Sequence, residues 1–137
     1  MDALGDLAAP SDAARRLAAR YWPGPLTVIL PSGPSAPALL VRGGGIGVRA
    51  PDHPVAQALV AASGPLAATS ANLTGEPTPS TVGPLRDVFG SAVDVYVDGG
   101  TIDAIPSTVV DLRGPTPLIV RSGVITSGDV ERAIGAG

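Results

Sequence analysis

The chain has 137 residues, of which 45% are apolar, 15% charged and 3% aromatic, with 18 Gly, 15 Pro and a formal net charge of −3. That length fits one domain, and the aliphatic residues recur in ordered patterns that speak against disorder throughout. With no Cys, no Lys and His53 alone of its kind, the chain offers no residues for thiol catalysis, disulfides, Cys-ligated metals, lysine chemistry or a histidine cluster.

In chain order, Ser11 and Asp12 predict an N-cap for a helix whose apolar face holds Ala13, Ala14, Leu17, Ala18 and Tyr21, stopped by Pro23-Gly24-Pro25. A strand is expected at 26–30, followed by a Pro/Ser loop and the apolar run 38–41. Gly43-Gly44-Gly45 reads as a hairpin connection into a strand at 46–50, and it lacks the residue order of a phosphate loop. Asp52 is the expected cap of a second helix with Val55, Ala58, Leu59 and Ala62 on its apolar face, ending near Gly64. A short strand is expected at 66–69, then a polar loop at 70–79, a weak helix from Ser80 or Thr81 toward Phe89, and an alternating strand at 93–97 closed by an Asp98-Gly99-Gly100 turn. Strands at 108–112 and 118–121, separated by Gly114-Pro115, precede a last helix capped by Ser127. Helices alternating with short β runs indicate an α/β fold, a twisted mixed parallel and antiparallel sheet with flanking helices, in a single domain over 1–137.

Polar groups stand where such folds place ligand contacts, at strand ends. Ser70 and Asn72 lie two apart after the expected strand at 66–69, so an extended segment would present a hydroxyl and an amide on one side; Asx and Ser turns are the competing structural explanation. Ser107 and Thr108 open another strand. Arg49 and Arg121 each end an apolar strand, where a guanidinium needs an anion: a ligand carboxylate or phosphate, or a structural partner such as Asp52, Asp98 or Asp111. His53 reads as a surface or capping residue at a helix start. No acidic pair stands at metal-ligand spacing beyond the Asp98 and Asp103 turn region, although a Mg²⁺ carried mainly by substrate phosphates needs few protein ligands. The first ten residues lack a signal-peptide pattern and no apolar run approaches 18 residues, so a soluble, cytoplasmic protein is expected.

Six segments together carry a resemblance: Tyr21-Trp22-Pro23-Gly24-Pro25-Leu26-Thr27, Val48-Arg49-Ala50-Pro51-Asp52-His53-Pro54, Gly64-Pro65-Leu66 with Ser70-Ala71-Asn72-Leu73-Thr74-Gly75, Asp98-Gly99-Gly100, Pro106-Ser107-Thr108-Val109-Val110-Asp111, and Arg121-Ser122-Gly123. In this order and at these spacings the chain resembles the YrdC-like (YrdC/YciO) family. The resemblance implies an L-threonylcarbamoyladenylate synthase, a nucleotidyltransferase that joins L-threonine, bicarbonate and ATP, with substrate-bound Mg²⁺, into threonylcarbamoyl-AMP for the modification of a tRNA adenosine. It further implies that Arg49, Ser70 and Ser107 hold threonine, that Asn72, Ser80 and Arg121 hold ATP, and that catalysis rests on positioning and charge stabilisation with no covalent nucleophile.

The family pattern normally begins upstream with a Lys-Xaa-Arg segment, which this chain lacks, so the resemblance covers the C-terminal part of the family domain. The expectation is therefore a shortened fold that does not make threonylcarbamoyl-AMP by itself. Two other readings stand beside the enzyme: a catalytically incomplete nucleotide-binding or regulatory module of the same fold, completed by another chain, and a double-stranded RNA-binding domain, against which the acidic net charge argues.

Overall fold

Ser11 opens the first helix: its backbone is extended, and its Oγ accepts a hydrogen bond from the Ala14 N–H at 3.3 Å, satisfying one donor that a helix start leaves unpaired. The computed structural model describes residues 1–102 and 105–135. Helix α1, Asp12–Tyr21, buries Ala14, Leu17 and Ala18, the three-and-four spacing of one helical face. It ends at Trp22, whose N–H reaches the Ala18 carbonyl at 2.9 Å, and the Trp22–Pro23 peptide bond is cis.

Strand β1, Leu26–Pro31, lies at the centre of a sheet with β2, Gly45–Val48, β3, Thr108–Asp111, and β4, Leu118–Arg121, in the order β2-β1-β3-β4. β1 is antiparallel to β2 and parallel to β3, and β3 is antiparallel to β4. This is the mixed sheet with flanking helices that the sequence predicts. The expected strand at 46–50 ends early because Ala50 turns its carbonyl to the Gly24 N–H at 2.8 Å. The apolar run 38–41 forms a short 3-10 helix, Ala38–Leu40.

Period-two alternation divides the sheet into two faces. Leu26, Val28 and Leu30 of β1 and Thr108 and Val110 of β3 are fully buried, and the pairings Leu30↔Ile46 and Val28↔Val110 put their neighbours on the same side. Ala14 and Leu17 from α1, Ile125, and Val130 and Ala133 from helix α4, Ser127–Gly135, complete this core. The opposite face carries Thr27, Gly47, Val109 and Arg121, with Thr27↔Val109 and Val109↔Arg121 as cross-strand partners.

Gly43 and Gly44 sit at φ 54 and 76, the left-handed pair that a two-residue hairpin turn needs, and Arg42 and Gly45 exchange both backbone hydrogen bonds, at 2.9 and 3.0 Å. The hairpin reading therefore holds. Arg113 ties this turn to the β3–β4 connection: its Nη1 donates to the Gly43 carbonyl, while its Nε and Nη2 grip the Asp111 carboxylate at 2.6–3.1 Å. Those side-chain bonds, with the Arg113 backbone N–H, hold the Asp111 carboxyl below its ordinary range.

Two helix caps differ from expectation by one residue. Helix α2, Pro54–Ser63, starts after His53, not Asp52, with Pro54 supplying the preset φ of a first helical position. Helix α4 is capped by Thr126, not Ser127: the Asp129 N–H donates to Thr126 Oγ1, and Asp129 Oδ2 accepts from both the Thr126 N–H and its hydroxyl. This reciprocal pair is a capping box with Asp in the acidic position.

The contacts divide the chain into two units, one over residues 1–66 that resumes at Ile105, the other beginning at Ala67 and lying between them in sequence. The second contains helix α3, Val82–Phe89, which starts after Thr81 as predicted. The Asp98 carboxylate accepts the Gly100 N–H at 2.9 Å, forming the expected turn, and Tyr96 donates to the Gly90 carbonyl at 2.8 Å under the Arg86 guanidinium. The strands expected at 66–69 and 93–97 do not form, because neither segment pairs with another strand among the described residues. None of residues 67–102 is buried, and the expected apolar face of α2 is likewise exposed.

Candidate functional site

At one end of the sheet β1 and β3 begin while β2 and β4 finish, so all four strands contribute residues to that end. Arg49 follows Val48, the partner of Val28, and thus comes off β2 beside Thr27. Its Nε donates to the Gly24 carbonyl at 3.0 Å, and the Gly24 N–H in turn donates to Ala50 at 2.8 Å. Gly24 is required there because a Cβ would stand 2.4 Å from the Tyr21 carbonyl oxygen. Trp22 closes the same loop by donating its indole N–H to the Leu26 carbonyl at 2.8 Å. The Trp-Pro-Gly-Pro segment thus anchors the strand-end arginine.

Ser107, just ahead of β3, is 2% exposed. Arg121 grips it twice, from Nε to its carbonyl at 3.0 Å and from Nη2 to its Oγ at 2.8 Å, and Thr27 Oγ1 lies 2.8 Å from the same Oγ. Gly123 backs this cluster at a distance no side chain tolerates: a Cβ would meet the Pro106 carbonyl oxygen and the Thr108 N–H nitrogen, each at 2.5 Å. Thr108 points the other way, into the core, where its hydroxyl donates to the Ile125 carbonyl at 2.9 Å and accepts the Ile125 N–H at 3.0 Å.

The structural partners proposed for the arginines are not the ones used. Neither Arg49 nor Arg121 forms an ion pair with a carboxylate among the described residues; Asp111 is taken by Arg113 and Asp129 by Arg132. Each guanidinium is oriented by backbone carbonyls and keeps some of its five N–H donors free of protein acceptors among the described residues. Arg49 and Arg121 stand at the ends of the two edge strands, each exposed, fixed by neutral groups and left with donors suited to an anionic ligand.

Of the six predicted site residues, the structure brings Ser107 and Arg121 into direct contact and sets Arg49 at the same end of the sheet. Ser70, Asn72 and Ser80 belong to the second unit. There the Asn72 amide braces its own loop, donating to the Leu73 and Glu76 carbonyls at 2.9 Å each, while its Oδ1 accepts the Thr78 hydroxyl at 3.1 Å. The Ser80 carbonyl accepts the Ile102 N–H at 2.8 Å, and Ser70 is exposed. Thr27 and Gly123 lie inside motifs the sequence singles out, but no role for them is legible without the three-dimensional register. Asp103 falls outside the described residues. Among the described residues no group of three or more His, Cys, Asp or Glu is placed to hold a metal ion, and no helix is long and apolar enough to cross a membrane.

A mixed α/β sheet with helices α1 and α4 on its buried face, and polar strand-end groups gathered on the other, defines the class of protein. The Sua5/YciO/YrdC family model, described as telomere recombination, matches residues 1–123, and the chain belongs to that family. It is 40% identical to the threonylcarbamoyl-AMP synthase of Bacillus subtilis (strain 168), over 96% of this chain and 40% of that protein. It is 39% identical to the uncharacterized protein YciO of Escherichia coli K12, over 85% of this chain and 57% of that one. Among solved structures, Sua5 of Pyrococcus abyssi complexed with L-threonine matches with a TM-score of 0.88 at 34% identity, covering 98% of this chain and 41% of that one. The crystal structure of E. coli YciO matches with a TM-score of 0.80 at 35% identity, covering 90% of this chain and 62% of that one. The chain thus spans about two fifths of the length of its Bacillus and Pyrococcus relatives.

Proposed function

We propose that this chain supplies part of the substrate site of a threonylcarbamoyl-AMP synthase, an ATP-dependent nucleotidyltransferase acting in the cytoplasm and serving tRNA threonylcarbamoyladenosine formation. The observation that carries the proposal is the likeness, over 98% of the chain, to a Sua5 complexed with L-threonine. The strand-end chemistry supports it. In this reading Arg49, with Ser70 and Ser107, holds threonine, its guanidinium receiving the carboxylate as a planar fork. Arg121, with Asn72 and Ser80, holds ATP.

The amine of bound threonine adds to the carbon of bicarbonate, with loss of water, and gives a carbamate. A carbamate oxygen then attacks the α-phosphorus of ATP, and the bond to the bridging oxygen breaks to release pyrophosphate. Negative charge builds on the phosphoryl oxygens in that step, so a guanidinium already fixed in place by Ser107 lowers the barrier without first having to reorganise. Mg²⁺ enters with the ATP phosphates, as part of the nucleotide.

Calorimetric titration of the chain with L-threonine and with ATP tests the assignment. Arg49→Ala is expected to weaken threonine binding and Arg121→Ala to weaken ATP binding, each by about tenfold or more, as for loss of a charge-assisted hydrogen bond. Unchanged binding of both ligands in both variants overturns it. Pyrophosphate release from ATP that requires both threonine and bicarbonate identifies the reaction itself, in this chain or in a longer protein that contains it.

A further inference from the structure

The hydroxyl pair Thr27–Ser107 has a direction that burial decides. Ser107 Oγ accepts a hydrogen bond from Arg121 Nη2 at 2.8 Å and lies 2.8 Å from Thr27 Oγ1. A serine hydroxyl carries one proton. If Thr27 donated to Ser107, the Ser107 proton would need another acceptor, and this residue is 2% exposed with no other hydroxyl partner among the described residues. Donation from Ser107 to Thr27 satisfies every atom. It leaves the Thr27 proton pointing away from Ser107, on the sheet face that also carries Gly47 of β2.

Gly47 matters here because it offers no side chain to cover Thr27: even a Cβ at that position would stand 3.7 Å from Thr27 Cγ2, an ordinary contact that leaves room above the strand. We infer that Thr27 is a ligand-binding residue of this site. Its hydroxyl donates to an anionic oxygen of the amino-acid substrate, a carboxylate or carbamate, at the end of the chain Arg121 to Ser107 to Thr27. Each donor in that series is polarised by the one before it, beginning with a full positive charge, which makes the Thr27 proton a stronger donor than an isolated threonine offers. Ser107 accordingly serves the threonine site through Thr27 and not by touching the ligand: it is a positioning residue that fixes the Arg121 guanidinium and orients the Thr27 hydroxyl.

The inference rests on the proposed threonine site, and three variants separate the two. Thr27→Val keeps the shape and removes the hydroxyl; Thr27→Ser keeps the hydroxyl. With titration against L-threonine and ATP, Thr27→Val is expected to weaken threonine binding about tenfold while leaving ATP binding within about twofold, and Thr27→Ser to restore threonine binding. Ser107→Ala is expected to weaken both ligands, because it releases Arg121 as well as Thr27. Equal threonine binding by wild type and Thr27→Val overturns the inference alone, as does a parallel loss of both ligands in Thr27→Val or a failure of Thr27→Ser to rescue. Absence of threonine binding by the wild-type chain overturns the threonine site and the inference together. Melting curves of all three variants show whether each is folded, and the Thr27→Ser comparison decides the matter even if Val disturbs the strand.

Discussion

Residues 67–102 and the sheet unit are built from similar side chains, yet they use them differently. In the sheet unit Leu17, Leu26, Val28, Leu30 and Val110 are fully buried, whereas Val95 in the other unit is 73% exposed and Leu73, Val88, Val97 and Ile102 are also exposed. The sheet unit has two layers: strands whose alternate residues face one side, and α1 and α4 to cover that side. The intervening unit has one eight-residue helix and no strand among its described residues. Alternation alone does not make a strand. Val93, Val95 and Val97 have the right period, but a ladder needs a neighbour to accept its backbone hydrogen bonds and a layer to receive its side chains.

The comparison can be broken most directly in the core. Leu26→Ala is expected to destabilise the chain by about 2–5 kcal/mol, the range for a buried leucine truncation, while Val95→Ala changes stability by about 0.5 kcal/mol or less. Chemical denaturation of the two variants checks this, and equal losses would mean that the intervening unit is as tightly packed as the sheet. Thr108→Val should cost about 1–3 kcal/mol despite its near-identical shape, because the Ile125 N–H and carbonyl would lose their buried partner.

Smaller effects sharpen the contrast at the surface. Thr126→Ala removes the cap of α4 and is expected to cost about 1 kcal/mol, read as a lower melting temperature. The same cap gives a pH signature. Bonds from the Thr126 hydroxyl and backbone N–H, and then from Arg132, hold the Asp129 carboxyl at about 2, below its ordinary 3.8. A carboxyl lowered in the folded state stabilises it above the ordinary value, and that contribution is lost as pH falls from about 3.8 through about 2. Asp129→Asn should flatten the acid limb of the stability curve in that window and leave its neutral region with the same shape.

Where local chemistry and tertiary packing agree, the sequence was readable. Helix α1 has its own cap and apolar stripe, β1, β3 and β4 have their apolar runs, and the Gly43-Gly44 turn has the one residue type its dihedrals favour. The strand-end arginines were legible as cations in need of an acceptor, but the acceptors were not. Backbone carbonyls of Gly24 and Ser107, which every residue possesses, leave no compositional trace. Thr27 was hidden for a related reason: its partner Ser107 lies 80 residues away, and only the β1–β3 register brings the two hydroxyls together. Asn72 stayed ambiguous because a loop brace and a ligand contact ask for the same amide.

That 80-residue separation also orders events during synthesis. When the ribosome has released α1, β1 and β2, the chain holds one helix against an antiparallel pair, still without the central parallel ladder. The central parallel ladder waits for β3, and α4, which covers much of the same face, follows later still. The buried face of β1 therefore has α1 but neither β3 nor α4 against it while the segment between β2 and β3 is being made, and in that interval the nascent chain is most open to aggregation or chaperone capture.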